Sequence, residues 1–239
     1  MSHDPKTLRF YGAEAVKYAS RGQEPSRSRI AGFLAHLRPG ATVLELGCGG
    51  GQDSEFMLAN GFDVHPTDGT PEIAREAEKR LGIPVATLLF GDLTAKDAYD
   101  GIWANACLLH IPRADLPDIL ARIHAALKAG GVFYASFKAG EAEGRDEFDR
   151  YYNYPAVSWL GDIYAVSDWT AVSIETVTGS GYDRKPTDWL HVLAQKRAER
   201  PHPPFSRRRR KRCCWGSHAT DLGGGTDRHG YAGGMCHRQ

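Results

Sequence analysis

Apolar and polar positions along the chain follow two periods that take turns. Ile30, Phe33, Leu34 and Leu37 fall at i, i+3, i+4 and i+7, which predicts an amphipathic helix over 26–37, ended by Pro39-Gly40. "ATVLEL" (41–46) is short and apolar, the mark of a buried strand. A glycine-rich loop follows, and "DSEFMLA" opens a helix closed by Asn60-Gly61. The alternation then repeats. "FDVHPTD" (62–68) predicts a second strand; Thr70-Pro71-Glu72 supplies a capping hydroxyl, a proline at the first helical position and an acid in the first turn, with the helix running to about Leu81-Gly82. "PVATLLF" (84–90) and "YDGIWANA" (99–106) read as strands three and four. Leu116, Leu120, Ile123 and Leu127 mark a helix stopped by Gly130-Gly131, and "VFYASF" (132–137) is a fifth strand.

Strands that alternate with helices argue for a parallel sheet covered on both sides, because each crossover lays its helix on a face. The last stretch differs. "TAVSIETVT" (170–178) and "WLHVLAQ" (189–195) are β-rich and joined by a polar loop without a helix, which predicts an antiparallel pair. The expected fold is α/β: Rossmann-like, doubly wound, a mostly parallel seven-stranded sheet with an antiparallel last strand and helices on both faces. Residues 138–165, rich in charge and tyrosine, read as an insertion or cover.

The net charge of +1 averages two unlike regions. Residues 1–198 hold 21 Lys and Arg against 26 Asp and Glu, whereas 199–239 hold nine against three. The second region has many glycines, few aliphatics and six consecutive basic residues (207–212), so it reads as a disordered tail appended to a domain over 1–198. Such a run can bind nucleic acid, but no recognition element accompanies it, and a solvated tail is the favoured reading. Cys213 and Cys214 are adjacent, which fits no zinc pattern, and no structural metal is expected. No apolar run nears the ~20 residues of a membrane span, and the first residues lack a signal-peptide core. A cytoplasmic protein without membrane contact is expected.

"LELGCGGGQD" (44–53) carries the chemistry. A strand, a glycine turn and a helix N-terminus form a corner suited to nucleotides. No Gly-x-x-x-x-Gly-Lys is present, against a phosphate-cradling Walker loop. Counting from Gly47 reaches Gly49 and then Gln52, where the dinucleotide fingerprint needs its third glycine. The pattern present is Gly47-x-Gly49-x-Gly51.

"VLELGCGGG" resembles the first motif of the class I S-adenosylmethionine (SAM) dependent methyltransferases, and further motifs follow in order. Asp68 ends the second strand 23 residues beyond Glu45, "FGDL" places Asp92 after the third, and "YDGIWANACLLHIP" (99–112) and "LKAGGVFYASF" (127–137) are similar to the later motifs. "FYGAEAVKYASR" (10–21) resembles the N-terminal Tyr-x-x-x-Ala-x-x-Tyr segment of many small-molecule methyltransferases, and the whole is distantly similar to bacterial tellurite-resistance methyltransferases. The resemblance implies SAM as cofactor. It places the amino-acid part of SAM at Gly47, Cys48, Gly49 and Gly51 with Glu45, and the ribose diol at Asp68 and Gly69. The adenine falls at Asp92 and Leu93, Tyr11, Tyr18 and Arg21 fold over the cofactor, and Asn105 contacts SAM or positions the substrate. Arg21 would meet the cofactor carboxylate.

His110, after the fourth strand, is the candidate general base; a structural histidine at a helix start is an equal reading. Lys138, Arg145, Arg150, Tyr151, Tyr152 and Tyr154 are candidates to receive an acidic or planar acceptor, with Arg184 and Lys185 as a second wall. The function expected is methyl transfer by in-line displacement to a small molecule. An NAD-dependent oxidoreductase, a SAM-binding module without turnover and a nucleic-acid modifier are the alternatives.

Overall fold

The computed structural model describes residues 3–22, 24–181 and 185–198. The expected tail, with its basic run and its cysteines, lies outside the described residues, as does Arg184. Two helices, α1 (Pro5–Ala13) and α2 (Ala15–Ala19), lead into α3 (Arg27–Leu34). The alternating body follows: β1 (Thr42–Leu46), α4 (Gln52–Ala59), β2 (Asp63–Asp68), α5 (Pro71–Leu81), β3 (Ala86–Thr87), β4 (Tyr99–Ala104), α6 (Leu116–Ala126) and β5 (Leu127–Lys138). A small hairpin, β6 (Gly144–Arg145) and β7 (Tyr151–Tyr152), precedes α7 (Val157–Ala165), β8 (Trp169–Ser180) and β9 (Pro186–Lys196).

The sheet has seven strands in the order β3-β2-β1-β4-β5-β9-β8. β1 to β5 run parallel, and β9 is antiparallel to both β5 and β8. The two-residue period of a strand sends alternate side chains to opposite faces. Leu44, Leu46, Ile102, Ala104, Phe133 and Phe137 thus pack with Ile119, Leu120 and Ile123 of α6, and Leu160 and Tyr164 of α7. Val43, Trp103, Val132 and Tyr134 face the other way, onto Ile30, Phe33 and Leu34 of α3 and Met57 of α4. Both faces are covered, as the doubly wound pattern requires.

Three local expectations change. The helix expected to reach Gly130-Gly131 ends at Ala126, and Leu127 already pairs with Tyr99. The glycines lie inside β5, at a register shift against β4; a Cβ on Gly131 would stand 3.1 Å from the Asp100 carbonyl oxygen, so the strands approach as only glycine permits. The third strand is two residues, not seven. Beyond Thr87 the chain leaves the sheet edge and coils through Phe90–Asp92, which moves Leu89 and Phe90 beneath the carboxyl edge of the sheet. Thr70 begins α5 without a capping hydroxyl bond; Asp68 instead accepts from its backbone N–H at 2.8 Å. Lys138 still belongs to β5, and the rest of the segment expected as an insertion or cover, 139–165, forms the hairpin and α7 outside the seven-stranded sheet.

Asp100 locks the opposite edge. It accepts from Thr42 N (3.0 Å) and Lys128 Nζ (2.8 Å), tying β1, β4 and β5 together. Burial works against its charge, but these donors hold its carboxyl below the usual range.

Candidate active site

Ligands of doubly wound sheets bind outside the carboxyl ends of the strands. Here β1, β2, β4 and β5 end at Leu46, Asp68, Ala104 and Lys138, and two connected spaces open beyond them. One is a chamber of about 580 Å³, the other a narrow apolar slot of about 80 Å³. Tyr11, Tyr18, Gly47, Gly49, Ala106 and His110 line both, so they form the junction.

The glycine turn is shaped by crowding as much as by ligand. Gly47 has φ +64°, and a Cβ there would stand 2.5 Å from the Cys107 Cβ. Gly49, at φ +57°, passes 3.3 Å from the Tyr18 ring by the same measure. Both conformations exclude ordinary side chains. Gly51 is also left-handed but lines neither space; it lets the chain enter α4 beneath Leu81.

Three carboxyls surround this turn. Glu45 is 2% exposed within β1 and accepts from the Ser54 hydroxyl of α4. Burial, with Asp53 and Asp68 close by, pushes its carboxyl well above the usual range. Asp68 accepts from Gly49 N at 3.1 Å with one oxygen and Thr70 N at 2.8 Å with the other. Burial raises its carboxyl to about 6 in spite of those donors. Asp53, in the first turn of α4, accepts from Trp103 Nε1 (2.9 Å) and Asn105 Nδ2 (3.0 Å), and burial raises it as well. Asn105 is fixed further by Ser136, whose hydroxyl donates to Asn105 Oδ1 (2.7 Å) and accepts from Ala106 N (2.8 Å). That last bond holds Ala106 at φ +53°, a conformation rare for alanine.

On the opposite wall, Arg150 Nη1 donates to the Tyr11 hydroxyl at 3.1 Å, and Tyr11 lies 3.0 Å from His110 Nε2. His110 Nδ1 is 2.6 Å from the Tyr151 carbonyl oxygen, which can only accept. Nδ1 therefore carries the ring proton, and Nε2 accepts from Tyr11. Burial lowers His110 to about 4, so it is neutral near pH 7. Arg150 is itself held by a buried ion pair with Asp146 (2.6 Å). Arg21 lies 3.4 Å above the Tyr18 ring and donates to the Tyr18 carbonyl at 2.9 Å.

Of the residues singled out in the sequence, Tyr11, Tyr18, Arg21, Glu45, Gly47, Cys48, Gly49, Asn105 and His110 line the chamber, and Asp68 and Gly69 line the slot. Three are not brought there: Gly51, which shapes the turn from behind, Asp92 and Leu93. Asp92 is exposed and faces a separate depression beside Asp115 and Asp118, because the short β3 turns away before reaching it. Leu93 is core, packed under β4 and α6. Lys138, Arg150 and Tyr152 reach the chamber; Arg145, Tyr151 and Tyr154 do not line it, and Arg145 pairs with Asp4. The sequence reading passed over Asp53, Gln52 and Cys107. Asp53 carried one signal, an acid opening the helix after the glycine turn; its partners Trp103 and Asn105 lie 50 and 52 residues further along the chain.

The arrangement fits SAM. Two of the roughly four acceptor positions of the Asp68 carboxylate are used, leaving capacity for a ribose diol beside the apolar slot made by Leu8, Ile73, Leu89 and Phe90. The Glu45 and Asp53 carboxyls line the chamber and offer oxygens that can accept from an ammonium. The Gln52 amide nitrogen is buried at the chamber wall without a hydrogen-bond partner among the described residues, a donor suited to a carboxylate.

Doubly wound topology and this edge define the class I methyltransferase architecture. Residues 18–158 match the family model described as a methyltransferase domain, and the chain belongs to that family, whose cofactor is SAM. A ubiquinone biosynthesis O-methyltransferase of Xanthomonas axonopodis pv. citri is 34% identical over 152 residues, covering 55% of this chain and 63% of that protein. A methyltransferase of Synechocystis is 32% identical over 101 residues, 41% of this chain and 47% of the relative. The chain thus spans about half the length of the curated relatives it matches. In fold it is similar to a 1,6-didemethyltoxoflavin-N1-methyltransferase of Burkholderia thailandensis solved with S-adenosylhomocysteine, at TM-score 0.66 and 23% identity over 80% of this chain and 88% of that one. Among the described residues no helix is long and apolar enough to cross a membrane.

Proposed function

We propose that the chain transfers a methyl group from SAM to a small-molecule acceptor. The observation that carries this reading is the Asp68 carboxylate, which clamps the glycine turn at Gly49 while lining an apolar slot that opens into a larger polar chamber. Asp68 and Gly69 would hold the ribose. Glu45, Asp53 and Asn105 would serve the ammonium side, and Gly47, Cys48, Gly49, Gln52 and Arg21 the carboxylate side. Gly51 shapes the turn. Tyr11 and Tyr18 close the junction over the cofactor.

When bound, SAM supplies a methyl on a positively charged sulfur, a good leaving group that needs no further activation. The protein's part is orientation in a dry site. Tyr11 and Tyr18 meet edge to face, with centroids 5.0 Å apart, and together with His110 they cover the junction. His110 positions Tyr11 through Nε2, which is occupied by the phenol hydroxyl and so is not directed at a substrate.

Calorimetric titration with SAM, S-adenosylhomocysteine and NAD tests the reading. Binding of both sulfur compounds, followed by S-adenosylhomocysteine release with a metabolite panel, is the expected result. Binding of NAD alone refutes it.

A further inference from the structure

We propose that a second copy of this chain pairs antiparallel with the outer edge of β8, about a two-fold axis at Ile174, and joins the two sheets into one. The inference is independent of what the chamber holds.

The two edges of the sheet are unlike. β3 closes one edge with two residues. β8 forms the other with twelve, Trp169–Ser180, and within the sheet it pairs only with β9. Edge strands escape unwanted pairing by being short or by carrying proline, lysine or bulges. β8 holds no proline or lysine, and its bulge lies at its first residues. Its one charged residue, Glu175, is paired with Arg29 at 3.1 Å. Val172 within it is 40% exposed, and Val166, in the turn that leads into it, is 85% exposed.

The register shows which backbone groups face outward. Ala139 N donates to the Asp188 carbonyl oxygen at 2.8 Å, so the Asp188 peptide groups point to β5. Alternation along β9 then turns those of Thr187, Trp189, His191 and Leu193 toward β8. Pro186 agrees, because it lacks an N–H and its pair with Ser180 has to be a non-hydrogen-bonded one. The β8 residues bonded to β9 are therefore Ser173, Glu175, Val177 and Gly179. Val172, Ile174, Thr176 and Thr178 aim N–H and C=O away from the sheet, and no other backbone group among the described residues meets them.

A second β8 fits these groups without opposing like charges. With the axis at Ile174, Ile174 faces itself, Val172 faces Thr176, Ala171 faces Val177, and Glu175 faces Ser173. An axis at Glu175 would set two carboxylates directly opposite each other. The residues that follow β9 suit the edge less well: Pro201, Pro203, Pro204 and six consecutive basic residues are a composition unfavourable to a strand. β8 runs in the direction of β1 to β5, and the copy runs against it. The two chambers thus open at opposite ends of the joined sheet, and neither is blocked.

Sedimentation equilibrium of the full chain over about 1–100 μM should show the mass rising from 26.3 kDa to twice that value. Hydrogen exchange should slow at the amides of Val172, Ile174, Thr176 and Thr178 over the same range. A chain that stays at 26.3 kDa overturns the proposal. Protection of those amides in such a monomer would show that another part of the same chain covers the edge. Thr176→Pro removes an outward donor and spares the β8–β9 ladder, so it should weaken the dimer about tenfold or more at normal melting temperature. Ser173→Glu sets a second acid against Glu175 of the copy, twice by symmetry, and should weaken it about 2- to 30-fold; Ser173→Lys should tighten it by a similar factor. If Thr176→Pro does not fold, the two Ser173 variants decide. A dimer that a folded Thr176→Pro leaves unchanged overturns the proposal, and so do Ser173 variants that fail to move it in opposite directions.

Discussion

Replacing Asp68 by asparagine separates its structural work from its work on ligand. The carboxylate accepts from Gly49 N and Thr70 N, yet burial raises it from 3.8 to about 6. A shift of that size disfavours the ionised form by about 3 kcal/mol, at about 1.4 kcal/mol per pH unit. Between about pH 3.8 and 6 the native state binds this proton more readily than the unfolded chain, so Asp68 lowers stability as pH rises through that window and imposes a constant cost above it. Asparagine removes the charge and that cost. Its oxygen can still accept from Thr70, but its amide nitrogen then faces the Gly49 N–H, an orphaned donor that costs about 1–3 kcal/mol. The two terms nearly cancel, so the ligand-free melting temperature at pH 7.5 should move by no more than about 5 °C. Affinity should not cancel. Losing the charged acceptor for the ribose costs about 1.5–3 kcal/mol, or about 10- to 150-fold in Kd for S-adenosylhomocysteine. Wild-type affinity should also fall as pH drops through about 6, and the variant should lack that step. Calorimetry at pH 5 to 8, with melts alongside, measures both. Unchanged affinity would remove Asp68 from the ligand site. An affinity loss matched by a collapse in melting temperature would show that Asp68 only holds the loop.

Gly47→Ala should abolish S-adenosylhomocysteine binding and destabilise the fold by about 2–5 kcal/mol, from the left-handed backbone and the contact with Cys107 together; normal melting and binding would show that the turn can relax. Asp100→Ala orphans Thr42 N and the Lys128 ammonium, so it should cost about 1–3 kcal/mol in denaturant melts with affinity unchanged; altered affinity would mean that the lower sheet edge shapes the site. His110, lowered to about 4 by burial, should show no titration near 6.5 by NMR. Because the unfolded chain takes up that proton first, His110 should make stability rise with pH between about 4 and 6.5 and stay level above; an NMR midpoint near 6.5 would contradict the Tyr11–His110 geometry.

Much of the sheet was legible because strand and helix periods differ and every junction carried a marker. Leu44 and Leu46 against Val43 already state which faces of β1 are covered. The misread places are those where pairing overrides local signal. Gly130-Gly131 looks like a helix stop, but the close passage of Asp100 makes the pair part of β5. "PVATLLF" is a good strand by composition, but it lies at a sheet edge with β2 as its partner, and only Ala86 and Thr87 pair. The same departure removes Asp92 from the place that its spacing suggested.

The sequence alone determined the doubly wound fold, the position of the glycine turn and the acids Glu45 and Asp68 beside it, since each depends on residues near in the chain. The tertiary structure decided what the acids are tied to and what faces them. Asp53 meets Trp103 and Asn105, His110 is capped by Tyr11, and Lys138 stands beside Trp189 only because strands distant in sequence lie next to one another. Such contacts depend on register and burial, and neither is written in any single stretch of the chain.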